Sequence, residues 1–566
     1  MEQRLGFLHS LVVVACGLLA LRLADLQVIR GRHYRQLADQ NCLRLVPESA
    51  PRGLIVDRHA RILAANQTVF HIAVIPQEAT DLPALFSRVA AVTGRSRETL
   101  QRAFTRERSL AFLPATIVTR VAKEAALRLE EEQWKWPGLL VRAESVRHYP
   151  LGMSAAPLLG YLNQPTAEEM PLLKQYGVRP QELIGRQGLE QALDHALRGR
   201  PGGRLVEVNH RARSVRDIGR REPQPGATVV LSLDAPLQSL IETSFGTQPG
   251  AAVVLDPENG AVLAMVSMPS FAPEAFAASE QTLVNQYQTD PQSPLMNRAT
   301  LGVYQPGSTV KLITGSAALE QHVATPSASV ACPGFMNIGK STIHCWNRDG
   351  HGPMNLREAL MQSCNVYFIH MGRNVGLSSL RSAMEQIGLS RRTGWPLDEQ
   401  AGHLPTRRLT EGEVAQLSIG QGPILVTPLQ AAVMASAFAT KGGMVEPWVV
   451  KTIANRPVPH RGVVRRLPWS AATFEAIREG MRLVVADAQG TGHRAFSPKV
   501  SIAGKTGTAQ THVPGRAHGW FVGFCPIEQP RAAFAIVTEH GGSGSELPSD
   551  IARAVCEYVA VMDERR

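Results

Sequence analysis

Lys311 keeps unusual company in the stretch VYQPGSTVKLITGSAALEQ, residues 303–321. A turn, Gln305-Pro306-Gly307, opens into an apolar helix, and one turn in stands a cation flanked by Val310, Leu312 and Ile313. Ser308 lies three residues earlier, and residues i and i+3 of a helix share a face. A serine at a helix N-terminus sits near free backbone N–H groups and the positive dipole end, which suits a developing oxyanion. An apolar setting disfavours the ammonium form of Lys311, and a neutral lysine can take the serine proton. The plainer alternative is a chance Ser-x-x-Lys whose lysine reaches out to water. Only nine of the 59 basic residues are lysine. Each one therefore raises the question of chemistry arginine cannot do, chiefly loss of a proton.

Two further segments bear on that choice. In QSCNVYF (362–368), an extended or turned backbone points Ser363 and Asn365 one way and Cys364 the other. In GKTGTAQ (504–510), Lys505, Thr506, Gly507 and Thr508 fall on an expected strand. Gly507 removes a side chain where a substrate backbone could approach, and Lys505 and Thr508 can bind a carboxylate. Each motif alone is common. All three in this order form the signature set of serine acyl-transferases that react with penicillin.

Three of the seven cysteines are crowded with a histidine as Cys332-x12-Cys345-x5-His351-x12-Cys364. The donor set suits tetrahedral zinc, with His344 as a competing ligand. A Cys332–Cys345 disulfide with a spare thiol, or three inert thiols, are the alternatives. The intervening segment reads as loop, where a metal staple would help. Cys364 would then brace the catalytic motif from behind. Cys16 lies in the N-terminal apolar run, and Cys42, Cys525 and Cys556 read as scattered buried residues or spare thiols.

The elements that must position these groups follow from the rest of the chain. Leu5 to Leu21 carries no charge, about 25 Å as helix, just enough to span a bilayer. A cleaved signal peptide is the alternative, but the apolar run continues past Cys16 without a clean small-residue cleavage site, so an uncleaved anchor is expected. Arginines on both sides leave its orientation open. A polar-faced helical segment is expected over 25–44, a hairpin over 46–64 around Asp57–Ala60, a helix over 120–134, and strand and turn over 200–219. The charged, Pro/Gly-rich run 219–227 is the best boundary. Beyond it, residues 251–267 form a hairpin through Pro257-Glu258-Asn259-Gly260. Strands follow within 500–510, 519–526 and 531–540, with a last helix near 548–562. Strands at both ends and helices between them point to one sheet in an α+β domain.

The chain has 566 residues, 44% hydrophobic, with net charge +11. That favours two or three domains with real cores. Aromatics are only 5% and do not interleave with basic runs, so no nucleic acid is expected among the partners.

The chain resembles class B penicillin-binding proteins, the monofunctional peptidoglycan D,D-transpeptidases. SAPRGLIVDRHARILA, RHYPLGMSAAPLLGYLN (147–163) and GRQGLEQALDHALRGRPGG (185–203) are similar to the family's pedestal segments. NRATLGVYQPGSTVKLIT, LSIGQGPILVTPLQAA (417–432) and GWFVGFCP are similar to its transpeptidase domain. Ala60 stands where the family usually has Gly, which puts the type of that turn in doubt.

The resemblance implies an α+β protein with a stub at 1–4, a transmembrane anchor at 5–26, an extended α/β pedestal at 27–224 and a transpeptidase domain at 225–566. That last domain would hold a five-stranded antiparallel sheet flanked by helices. It also implies Ser308 as nucleophile on the D-Ala–D-Ala carbonyl, Lys311 as base, and Ser363, held by Asn365 near Lys505, as proton relay. The N–H groups of Ser308 and Thr508 would form the oxyanion hole, and Lys505, Thr506 and Thr508 would bind the terminal carboxylate. Some elongation-type relatives carry a similar zinc site, on which Cys345, His351 and Cys364 would fall. Expected partners are stem peptides, β-lactams, the membrane, and a SEDS-family glycosyltransferase with other elongation-complex membrane proteins. The expected location is the bacterial inner membrane, N-terminus inside and catalytic domain outside. A division-type relative, a β-lactamase or β-lactam sensor, and a non-catalytic scaffold binding cell-wall partners are the alternatives.

Overall fold

The computed structural model describes residues 2–32, 34, 43–108, 114–173, 175, 182–208, 214–339, 341–511 and 515–564. Cys42 and most of the second half of the 25–44 segment lie outside them. An N-terminal helix spans Glu2–Ala24 and continues as a π-turn to Ile29. Within it, Leu11–Ile29 has a mean hydropathy of 2.0 with nothing buried. Among the described residues it is the one helix long and apolar enough to cross a membrane.

The chain divides into two compact units, residues 1–52 with 66–146 and 198–226, and residues 53–65 with 147–197 and 227–566. In the first, strands Leu43–Glu48, Gly202–Val208 and Ser214–Arg221 form an antiparallel sheet. The run Ala115–Val121 is a strand and the following helix covers Lys123–Glu131 only. The expected helix over 120–134 therefore starts later, because the β-branched run Thr116-Ile117-Val118-Thr119 favours a pleated, half-buried edge.

In the second unit, Ile55–Val56 pairs antiparallel with Ile62 and Ala64 across the expected turn. The buried Asp57 carboxylate accepts from the His59 and Arg61 N–H groups, both at 2.8 Å. Ala60 sits at φ 62°, so the left-handed turn survives without its glycine, at a strain of about 1 kcal/mol. The carboxylate's two bonds hold it there.

The core of this unit is a five-stranded antiparallel sheet: β1 (Gly250–Leu255), β2 (Val262–Met268), β3 (Ala503–Ala509), β4 (His518–Cys525) and β5 (Ala532–Thr538). The order is β2-β1-β5-β4-β3, so β3 is an edge. Alternation sorts the side chains: Ala252, Val254, Phe521 and Ile536 face helices α1 (Ala235–Phe245) and α7 (Leu547–Glu564). Val253, Leu255, Trp520, Val522 and Val537 belong to the larger core on the other face. That core also takes α2 (Lys311–Glu320), α3 (Leu356–Met361), α4 (Asn365–Gln386), α5 (Pro428–Ala439) and most of α6 (Ala471–Ala486). With both faces covered, the strands read as continuous apolar runs. Every residue of α5 is buried, which places it at the centre of the helical layer.

Cys525 on β4 and Cys556 on α7 form a disulfide, with Cα atoms 5.9 Å apart. This corrects the reading of both as isolated thiols. Their 31-residue separation contains β5 and the turn into α7, and only tertiary packing brings them together.

Candidate active site

Ser308 lies in a single 3-10 turn, Gly307–Val310, and Lys311 opens α2. Gly307 has φ 53°, and a Cβ there would stand 2.9 Å from the Thr508 carbonyl oxygen. Only glycine lets this turn lie against β3. Gly507 serves the same contact from the strand side: an added Cβ would meet Thr309, Trp520 and the Pro306 carbonyl at 3.0–3.1 Å. The backbone that approaches Gly507 is thus the protein's own turn carrying Ser308.

Ser363 sits at φ 53° between two helices. Its N–H donates to the Leu360 carbonyl and that of Cys364 to the Ala359 carbonyl, which closes α3. The Cys364 sulfur then accepts from the Tyr367 N–H and caps α4. This reversal sends Ser363 and Asn365 toward Lys311 while Cys364 goes to the cysteine cluster.

Lys311 is fully buried, and its Nζ donates to the Ser363 carbonyl (2.7 Å), Ser363 Oγ (3.2 Å) and Asn365 Oδ1 (2.7 Å). The Phe368 ring lies 5.7 Å away. Burial pulls its pKa down to about 8, against a raising influence from the Cys364 and Cys345 thiols. Lys505, also fully buried, donates to Ser363 Oγ and to the Thr506 carbonyl, both at 2.9 Å. Its pKa is well below the usual lysine value, first through burial and then through Lys311. Ser363 Oγ thus accepts from two lysines, which leaves its own proton to be donated.

Asn365 engages Lys311 and, through Nδ2, the His344 carbonyl at 3.2 Å. The Thr506 hydroxyl is 2.7 Å from that of Thr491, whose N–H donates to the Met361 carbonyl. Thr508 carries an exposed hydroxyl, 3.5 Å from Ser543 Oγ. Thr491 was not singled out by its sequence: a lone threonine carries no signal for bridging two motifs.

Behind Ser363 and Asn365, the expected loop holds two small ladders, Val330–Cys332 with Gly352–Met354 and Phe335–Ile338 with Ser341–His344. They bring Cys332, Cys345, His351 and Cys364 together, with one donor atom each lying within 4.8 Å of the others. His351 Nδ1 is 3.5 Å from the sulfurs of both Cys332 and Cys345. His351 Nε2 is buried without a partner. The Asn365 N–H donates to Cys345 Sγ at 3.4 Å. A hydrogen bond from Cys364 holds the Cys345 thiol down to about 4 and pushes that of Cys364 up. All three cysteines are free thiols, and His344 is outside the group.

Comparison with known proteins matches residues 250–557 to the penicillin binding protein transpeptidase domain and residues 47–231 to the penicillin-binding protein dimerisation domain. The chain is 29% identical to the peptidoglycan D,D-transpeptidase MrdA of Haemophilus influenzae, over 97% of this chain and 90% of that one. A chain of a solved peptidoglycan synthase complex, described as coordinating polymerization and crosslinking, is 31% identical with TM-score 0.76, covering 98% of each. The penicillin-binding protein PBP2 of Helicobacter pylori, solved in complex with MreC, is 26% identical with TM-score 0.77, covering 92% of this chain and all of that one. The two domain matches, in this order and over most of the chain, make it a member of the penicillin-binding protein family: a class B, elongation-type peptidoglycan D,D-transpeptidase.

Proposed function

We propose that Ser308 is the acylated nucleophile and that Lys311, Ser363 and Lys505 move its proton. The observation that carries this reading is the pair of buried lysines converging on Ser363 Oγ at 3.2 and 2.9 Å. Two ammonium groups so close and so buried disfavour each other, so at least one amine is neutral near pH 7. Ser308 Oγ attacks the carbonyl carbon of the penultimate D-Ala, and its proton passes to Lys311. The C–N bond breaks, and the departing D-Ala amine takes a proton delivered through Ser363, leaving an ester on Ser308. An amine of a second stem peptide then attacks that ester. It loses a proton, the C–O bond breaks, and Ser308 recovers its hydroxyl as the cross-link forms. The N–H groups of Ser308 and Thr508 stabilise the oxyanion in both steps. Lys505 and Thr508 hold the donor's terminal carboxylate, with Thr506 kept in line by Thr491.

The cysteine cluster fits zinc: three soft sulfur donors and one imidazole offer donor atoms within 4.8 Å of one another, and His351 turns Nδ1 toward two of the sulfurs. Cys332, Cys345, His351 and Cys364 would hold the ion, which would supply structural stapling of the ladders to Cys364 and no catalytic chemistry. In the same reading, residues 5–26 are a single-pass anchor with the N-terminus inside. Residues 27–224 are a pedestal and 225–566 the transpeptidase domain outside the membrane. The chain works with a SEDS-type polymerase and elongation-complex membrane proteins, as the complexes of its relatives support.

Intact-mass measurement of the full chain after penicillin treatment, with mapping of the adduct, tests the assignment. A single acyl adduct on Ser308 is expected. No adduct, or an adduct unaffected by Lys311→Arg, overturns it.

A further inference from the structure

The edge of β3 is already occupied. Gln421 Nε2 donates to the Thr508 carbonyl oxygen at 3.0 Å. In a strand, the N–H and C=O of one residue point to the same side. The Thr508 carbonyl therefore faces the cleft together with the N–H assigned to the oxyanion hole. An extended donor peptide that adds to this edge presents a backbone N–H to that same carbonyl.

The loop that carries Gln421 is tied to the nucleophile turn. The Gly307 N–H donates to the Gly420 carbonyl at 2.9 Å, and Gln305 Nε2 to the Gly422 carbonyl at 2.8 Å. Gly420 and Gly422 have φ of 74° and 75°. A Cβ on Gly420 would lie 2.0 Å from the Gly307 carbonyl oxygen, so no other residue fits. The Gln421 N–H is held by the Gln416 carbonyl at 2.9 Å. The backbone on either side of Gln421 is thus fixed, while its half-buried side chain reaches the strand edge. The Gly307 turn lies along one flank of the Thr508 carbonyl, so close that an added Cβ would come within 2.9 Å of its oxygen, and the carboxamide is already its ligand.

We propose that Gln421 determines donor specificity by standing in for the donor's backbone N–H. Its carboxamide caps the Thr508 carbonyl in the free enzyme, and a donor that brings an N–H to that point must displace it. The inference rests on the reading of Ser308 and Thr508 above. Donors bearing an amide N–H beside the reacting carbonyl are charged for the displacement, and donors lacking one are not.

The test resolves acylation of the full-length chain in detergent into a dissociation constant K of the non-covalent complex and a first-order acylation constant, for two probes. Nitrocefin carries an acylamino side chain, and a carbapenem carries a hydroxyethyl group there instead. In Gln421→Ala, K for nitrocefin is expected to fall about three- to tenfold, the scale of one hydrogen bond no longer in competition. K for the carbapenem is expected to stay within about twofold. Gln421→Glu, whose carboxylate cannot donate to the carbonyl, should follow Gln421→Ala. A rise in K for nitrocefin, or an equal change for both probes, overturns the proposal; a collapsed loop would give the second. Absence of any acylation at Ser308 in the unaltered chain would instead remove the underlying catalytic assignment.

Discussion

The three residues Ser363, Cys364 and Asn365 separate two buried polar clusters that solve burial differently. On one side, Lys311 and Lys505 are fully buried, and each Nζ reaches oxygen acceptors at 2.7–3.2 Å. On the other, three thiols and an imidazole crowd together with hydrogen bonds no better than 3.4–3.5 Å, and one ring nitrogen has no partner. The first cluster is satisfied by hydrogen bonds alone, and its proposed work is to move protons. The second has only long sulfur contacts, and there the proposed ion would sit. Polar groups inside a protein are held either by hydrogen bonds or by metal, and one reversal of the chain here supplies the first and would serve the proposed second.

That contrast can be broken at several points. Ser308→Ala should abolish the penicillin adduct altogether, read by intact mass. Lys311→Met keeps length and suits the apolar pocket, so it should fold, yet slow acylation by about 10²–10⁴. In the unaltered chain, the lysine pKa of about 8 sets the sign of the pH effect: protonation below it removes the base. The acylation rate should therefore climb about tenfold per unit between pH 6 and 7 and level off above 8. A flat profile over that range would leave Lys311 without its role. Asn365→Ala removes one Lys311 acceptor and the bond to the His344 carbonyl, and a fall in acylation of about tenfold or more is expected.

On the sulfur side, purified chain should carry about one zinc per molecule by elemental measurement. Cys332→Ser should lower that occupancy and the melting temperature by about 4 °C or more, with acylation slowed about tenfold through loss of bracing. Unchanged melting and full activity would make the cluster ornamental. The smallest effect is expected from Thr491→Val. It costs about 1 kcal/mol in unfolding free energy and leaves the Ser308 adduct intact.

Much of the sheet was legible because its strands are short apolar runs set off by Pro257-Gly260 and by charged turns. The Ser308–Lys311 spacing was legible because an ionisable group in apolar surroundings is a local anomaly. What Lys311 touches was not legible from spacing and came only with the motif set and the family resemblance: Ser363 and Asn365 are more than fifty residues away, joined to it by packing alone. The helix expected over 120–134 failed at its first residues because a β-branched run outweighed the charged pattern. The Cys525–Cys556 pair and the bonds of Gln421 and Thr491 left no trace in spacing. They are contacts between elements whose residue types are ordinary, and no periodicity marks them.

The cross-link between β4 and α7 also says something about surroundings. Disulfides persist where thiols are oxidised, so this pair is in keeping with the proposed placement of the domain outside the membrane. Three more, at positions 332, 345 and 364, have their sulfurs within 4.8 Å of one another in the same unit and are not paired. Held close without protection, such neighbours would couple too. An ion seated among them, as proposed above, would keep them from coupling, so the joined pair and the unjoined trio are together what the proposed placement outside the membrane and the proposed zinc site require.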